Sequence, residues 1–406
     1  MTHSRQTQQV VPAYNSERNI FMILKRHREM KNLITTMLLS AAAVAASGQT
    51  QKVEVLEYCP APGQFVNVLP EVEEGMTEEQ VLKACEDVLS KNGYLVHLGA
   101  YGGYITVKFD HPVENKRGSD LLIKGNGMYS TDDPVYGKNT IGGSIEPGIV
   151  YVGVGKDLAT AQWYELSGSE YHTTQCHDFN ITYYKPTAEE GTHSQTGSTF
   201  DEYIRYHCTW TEKDGTPKEE TGYHPKLASH KQTYWPMWET ADQLTFSGGQ
   251  LPKNATKYDV DGRDYWIQYR YSEDAYGYVD ASPANDKRYS SFDIDWAVDK
   301  QGRPVALDHI DFIRVSTGIF QHCALLGETS TEIDLFQDLH LVEGYDDDPI
   351  MITPRPNPNE PANGITIPVS ADRSQSEGAY YNLFGQKMET LVRGQIYIHN
   401  GKKTVY

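Results

Sequence analysis

Short runs in which apolar and polar residues alternate, each closed by a cluster of Gly, Asn, Asp or Pro, recur along this chain from residue 94 onward. They fall at 94–98, 104–109, 121–124, 149–154, 163–166 and 181–184, and again at 244–246, 265–271, 292–298, 310–315 and 332–336. A period near two sends successive side chains to opposite faces, and runs this short suit strands better than helices. The composition agrees, because 28 Tyr, 34 Gly and 20 Pro in 406 residues favour strands and turns. The expected fold is therefore all-β, a β-sandwich or jelly roll over residues 52–345. The run at 292–298 shows the logic. Phe292, Ile294, Trp296 and Val298 should pack inward, leaving Asp293 and Asp295 together on the outer face of one strand. Carboxylates two apart on a strand meet the spacing of a glycosidase pair automatically, so a solvated face is the preferred reading.

Residues 77–89 break the pattern and read as one N-terminal amphipathic helix. Thr77 and Gln80 make a capping box, Val81, Leu82, Cys85, Val88 and Leu89 recur at helical spacing, and Asn92-Gly93 ends the run. Upstream, Met30-Lys31-Asn32 precedes an apolar run at 33–46 that ends in small residues, the pattern of a cleaved secretory signal peptide. That run is shorter than the roughly twenty residues needed to span a bilayer. Residues 1–48 thus read as an over-long start and a signal peptide, with Met22 or Met30 as initiator and cleavage after Ala45 or Gly48. Downstream, Asp346, Asp347 and Asp348 lead into Pro349, Pro354, Pro356, Pro358, Pro361 and Pro368, a proline-stiffened linker over 346–373. Residues 374–406 read as a small β module.

The charge balance narrows the partners. With 36 Lys and Arg against 55 Asp and Glu, the net charge is −19, which opposes broad contact with nucleic acid or an anionic membrane. Export would place Cys59, Cys85, Cys176, Cys208 and Cys323 in an oxidising compartment, where one or two disulfides can form and one thiol is left over. Buried thiols and a Cys176–Cys208 bridge are the two readings. The pairs Cys176-His177, His207-Cys208 and His322-Cys323 suggest metal ligation, but neighbours on a strand point to opposite faces and rarely chelate one ion.

Two stretches resemble known families. Tyr381-Asn382-Leu383-Phe384-Gly385-Gln386, Arg393-Gly394-Gln395-Ile396-Tyr397-Ile398 and Asn400-Gly401-Lys402-Lys403 resemble the C-terminal tails of exported Bacteroidota proteins related to type IX secretion sorting domains. The body carries Tyr58-Cys59-Pro60-Ala61-Pro62-Gly63-Gln64-Phe65-Val66-Asn67, Gly99-Ala100-Tyr101-Gly102-Gly103 and Glu146-Pro147-Gly148-Ile149-Val150. It also carries Trp163-Tyr164-Glu165-Leu166-Ser167-Gly168-Ser169-Glu170 and Leu326-Gly327-Glu328-Thr329-Ser330-Thr331-Glu332. Together these resemble a family of secreted Bacteroidota cell surface proteins, which implies a galactose-binding-like jelly roll, delivery to the cell surface and no catalytic activity. Relatives commonly carry an acidic, Ca²⁺-suited loop before the Trp-Tyr-Glu-Leu stretch. Here residues 153–162 hold Asp157 as their only carboxylate, so that site is expected to be lost. Asp120, Asn126 and Glu146 match family positions and form a second candidate set for Ca²⁺.

No Gly-x-Ser-x-Gly elbow, His-Glu-x-x-His helix or phosphate-binding Gly-Lys-Ser/Thr loop occurs. Glu165 and Glu170 flank a Ser-Gly turn and are a weak candidate pair. The fuller signal is aromatic: Tyr234, Trp235 and Trp238 surround Pro236, and Tyr265, Trp266, Tyr269, Tyr271, Tyr276 and Tyr278 follow. Flat rings serve sugar-binding modules, and they also fill cores. The expected ligand-contacting set is Trp163, Trp235, Trp238, Trp266 and Tyr276. The reading that follows is an exported, non-enzymatic surface protein that binds a glycan, with surface machinery of the outer membrane as a further partner. Its rivals are capture of another nutrient, such as a corrinoid, beside an outer-membrane transporter, and a glycoside hydrolase or lyase.

Overall fold

The structure is a computed structural model that describes residues 51–91, 93–187, 200–260, 263–283 and 290–345, with the strand segments 380–381, 387–388, 396–399 and 402–405. The expected signal peptide and the linker lie outside these residues. The four C-terminal segments pair as one antiparallel sheet.

Strands dominate the body, as the alternation requires. The largest sheet has 7 strands, running in the order Glu54–Cys59, Tyr104–Lys108, Phe312–Thr317, Gly148–Val154, Gln162–Leu166 and Ala297–Val298, with Tyr278–Val279 also paired to Gly148–Val154. All of its pairings are antiparallel. One face of it sends Ile105, Val107, Val150, Val152, Ile313 and Val315 into an apolar core. Leu121, Ile123, Phe292 and Phe336 enter the same core from a second sheet of 3 strands, Ser291–Phe292, Leu121–Lys124 and Leu335–Asp338.

The helix Glu78–Leu89 closes one side of that core. Thr77 accepts from the Gln80 amide and donates its own amide to Gln80 Oε1, so the capping box is formed as expected. Val81, Cys85 and Leu89 are buried, and Glu86 accepts from the Val55 amide of the neighbouring strand at 3.2 Å. Each turn of the helix thus places one apolar side chain inward.

Residues 292–298 do not form one strand. Ser291–Phe292 pairs with Leu121–Leu122, Ile294–Trp296 is a 3₁₀ turn, and Ala297–Val298 pairs with Glu165–Leu166. The segment therefore steps from one sheet to the other, and Asp293 is turned to cap the step by accepting from the Asp295 amide at 2.8 Å. The four apolar residues are buried as the alternation implied, because the 3₁₀ turn still leaves them on the inner side.

A further sheet of 4 strands, Pro217–Leu227, Phe200–Thr211, Cys176–Tyr184 and Gln243–Gln250, covers a separate core of Tyr101, Phe179, Tyr183, Ile204, Tyr234 and Trp235. Pro217–Leu227 is its outermost strand. Within this sheet Cys208 lies opposite Ile181 and Cys176 opposite Gln250. Cys176 and Ile181 are five residues apart, about 16 Å along a strand, so a Cys176–Cys208 bridge is geometrically impossible. All five cysteines are free thiols, with Cys85, Cys208 and Cys323 buried.

Candidate functional site

Two regions concentrate chemistry, one buried and one open. The buried one begins with the tight chain path that brings residues 63–64, 97–99, 146, 280 and 328–332 together. Asp280 takes a positive φ of 57°. Its Oδ1 accepts from the amides of Asn126 at 2.9 Å and Gly127 at 2.7 Å, and its Oδ2 from the Glu332 amide at 3.1 Å. Gly125 and Gly127 have no room for a Cβ there, since one on Gly125 would lie 2.3 Å from Asp280 Oδ1. Glu146 Oε1 accepts from Gln268 Nε2 at 3.2 Å and the Ser330 amide at 3.3 Å. One carboxylate oxygen each from Glu146, Asp280 and Glu332 lies within 4.8 Å of the others.

Burial holds Glu332 and Asp280 well above the usual carboxylate range, and the Glu146 charge raises both further. Burial also pushes Glu146 up to about 7, against the hydrogen bond from Gln268. Three carboxylates this close must share protons or surround a cation. Their spacing suits a hard divalent ion such as Ca²⁺, whose oxygen ligands sit at roughly 2.3–2.6 Å.

His97 adjoins the trio and is 1 % exposed. Its Nδ1 accepts from the Gly99 amide at 3.1 Å, which leaves the proton of the neutral ring on Nε2. That Nε2 faces Glu332 Oε1 at 3.5 Å and Glu328 Oε1 at 3.6 Å. Burial pushes His97 down to about 4, opposed by the Glu328 charge. Glu328 Oε1 accepts from the Gln64 amide at 2.7 Å. Its Oε2 stands 3.6 Å from His224 Nε2, and both atoms are buried without a hydrogen-bond partner.

The expected cation set is thereby revised. Glu146 does belong to a carboxylate cluster, but its partners are Asp280 and Glu332. Asn126 contributes its amide to Asp280. Asp120 is fully occupied elsewhere, accepting from the Lys116 and Ile294 amides and from His340 Nε2, each at 2.8 Å. Asp157 caps its own turn through Thr160, at 2.9 Å to the amide.

The open region lies on the other face of the large sheet. Alternation on Phe312–Thr317 turns Arg314 away from the core, and its guanidinium is sandwiched 4.4 Å from the Trp163 ring and 4.5 Å from the Tyr104 ring. It is steered there by Thr106 Oγ1 at 2.8 Å and Glu57 Oε2 at 2.6 Å. Tyr104 continues into a groove of 170 Å³ lined also by Tyr58, Pro236, Trp238 and Phe246. Trp238 stacks on Tyr58 at 5.5 Å and 23°. Trp163 and Trp238, far apart in sequence, thus both approach Tyr104, Trp163 across the Arg314 guanidinium and Trp238 across the groove, where Trp238 also packs against the main core through Tyr58.

The other expected ligand contacts fall elsewhere. Trp235, 3 % exposed, and Tyr276, 6 % exposed, are core residues with no face left for a ligand; Tyr276 packs on Trp296 with ring centres 5.0 Å apart. Trp266 is half-buried opposite Lys257 on a different sheet. Glu165 is tied to Gln175 at 2.6 Å and Glu170 to Ser169 at 3.2 Å, so each has its own partner.

Sequence reasoning missed Asp280, His97 and the convergence of Glu328 and Glu332 on His97. Four of the five stretches quoted for the body meet at this cluster, through Gln64, Gly99, Glu146 and Glu328 to Glu332. Their convergence was the signal that could have found it. No protein-family model matches the chain, and no curated protein matches it either.

Proposed function

We propose that this chain is an exported, non-enzymatic cell-surface protein that binds an extracellular glycan along the aromatic strip from Trp163 through Arg314 and Tyr104 to Trp238. The single observation that carries the reading is the continuity of that strip with the groove of 170 Å³. Aromatic rings suit the apolar C–H faces of pyranoses on the sides that Arg314 and Tyr58 leave uncovered, and Glu57, Thr106 and Glu239 border them with polar groups for hydroxyls. The finer architecture belongs to the same proposal: a β-sandwich of jelly-roll type, supported by the apolar core shared between the large sheet and the 3-stranded sheet. The signal-type start, the sorting-type tail and the resemblance to Bacteroidota surface proteins support delivery to the cell surface, beside outer-membrane machinery.

The test is a glycan array with host mucins and plant polysaccharides, run alongside corrinoids. Binding of one sugar class that is lost in Trp238→Ala and Trp163→Ala is the expected result. Silence across the glycans, or a response to corrinoids alone, removes the glycan reading.

A further inference from the structure

A second cleft lies apart from the strip, where the turn at 133–136 meets the strands Ala255–Val260 and Arg263–Tyr269. Its volume is 340 Å³, and Tyr136, Tyr258, Tyr269 and Tyr271 form its walls. Three of these rings are held by their own hydroxyls. Tyr258 and Tyr269 share a hydrogen bond of 2.9 Å, Tyr269 donates to Asp133 Oδ1 at 3.2 Å, and Tyr271 donates to the Pro252 carbonyl at 2.8 Å. Asp133 Oδ1 also accepts from the amides of Val135 at 2.8 Å and Tyr136 at 3.1 Å, which fixes the turn that presents Tyr136. Tyr136 stands 53 % exposed and meets Tyr269 edge-on at 5.6 Å. Rigid rings with fixed hydroxyls offer contact area at little cost in side-chain entropy.

Two polar side chains of the cleft are committed within the fold. Asn254 donates to the carbonyls of Ile145 at 2.8 Å and Tyr269 at 2.9 Å. The Arg270 guanidinium is buried against the Tyr129 hydroxyl and the Ala275 carbonyl. Lys253 is exposed on the rim and makes no ion pair or hydrogen bond among the described residues. A free ammonium beside a tyrosine wall singles out a small anionic ligand with an apolar ring face, held locally by Lys253 against the repulsion of a chain of net charge −19.

We propose that this cleft is a second saccharide site, one that takes a pyranose unit bearing a carboxylate or sulfate, with the ring face on Tyr136 and the anionic group on Lys253. The class of ligand rests on the glycan reading above, while the place rests on residues the strip does not use. The volume is at the small end of ligand pockets and suits a mono- or disaccharide unit of a longer chain.

The test is calorimetric titration of the full chain with tetragalacturonate, a sulfated chondroitin tetrasaccharide and neutral maltotetraose. Tyr136 and Lys253 are exposed, so Tyr136→Ala and Lys253→Gln should fold normally. Lys253→Gln is expected to weaken the acidic probes about tenfold and leave the neutral one unchanged. Tyr136→Ala should weaken the acidic probes, and Trp238→Ala should leave them unchanged. Which acidic probe responds tells carboxylate from sulfate. If Lys253→Gln and Tyr136→Ala change no affinity while Trp238→Ala does, the cleft is overturned and the strip stands. If the acidic probes respond to Lys253→Gln and no glycan responds to Trp238→Ala, the cleft stands and the strip falls. Failure of the wild-type chain to bind either acidic probe overturns the cleft outright.

Discussion

The carboxylate–histidine cluster and the aromatic strip invert the usual placement of side chains. Asp280, Glu328 and Glu332 are shut inside, while Trp163, Tyr104 and Trp238 stay partly open to solvent. Inside, a charge survives only through neighbours that accept or donate, so every member of the cluster depends on the others. On the strip, the rings of Tyr104 and Trp238 pack against the cores on one side and keep the other partly open, so they depend less on one another. The first region should therefore answer to measurements of stability, and the second to measurements of binding.

The largest break in that contrast should come from Asp280→Ala. It strips three amides of their acceptor and sets Ala at a positive φ, which together should cost about 4 kcal/mol of stability in urea unfolding. A loss below about 1 kcal/mol would show that water replaces the carboxylate easily. The pH dependence comes next. Glu146 is raised in the folded state to about 7, so its contribution is fully present below its unfolded pKa and is lost as pH rises through 7. In EDTA, this contribution, about 3 kcal/mol between pH 4.5 and pH 8, should appear as the difference between the wild-type and Glu146→Gln stability curves. Adding Ca²⁺ sharpens the point. A cation held by the ionised trio would lift the midpoint at pH 8 and leave it unmoved at pH 5, whereas no effect at either pH would leave protons as the neutralising species.

For the strip, Trp238→Ala should weaken glycan binding by about 2 kcal/mol with almost no change in melting temperature. A large drop in melting temperature would instead make Trp238 a packing residue for Tyr58. The smallest effect is expected for Arg314→Lys, which keeps the charge and loses the planar stacking between Trp163 and Tyr104. A loss of about 1 kcal/mol in binding is expected, and no loss would remove the guanidinium from the site.

The sequence was legible wherever one element decided its own structure. The helix announced itself through Thr77 and Gln80, and the inward sets of most strands through alternation. The long hairpin of Phe200–Thr211 with Pro217–Leu227 was not seen. A bulge between Glu202 and Ile204 shifts the phase, so Tyr203 and Ile204 are both buried, and the partner strand is mostly exposed. The cluster was illegible for a different reason. Glu146, Asp280 and Glu332 are brought together by strand order, and nothing local to any of them reports the other two. The aromatic ligand set was half legible, since ring type is visible in a sequence and exposure is not: Trp163 and Trp238 reached one surface, while Trp235 and Tyr276 went to cores.

The outermost strand of the hairpin sheet also has a bearing on how copies of this chain meet. Among the described residues, Pro217–Leu227 leaves one edge of its backbone without a neighbouring strand, the kind of edge on which a second chain can add itself. Along it stand Lys218, Glu219, Glu220 and Lys226, and Pro225 lacks an amide hydrogen to offer. Charge and proline together make this edge a poor template, so copies of the chain have little means of zipping into fibrils there.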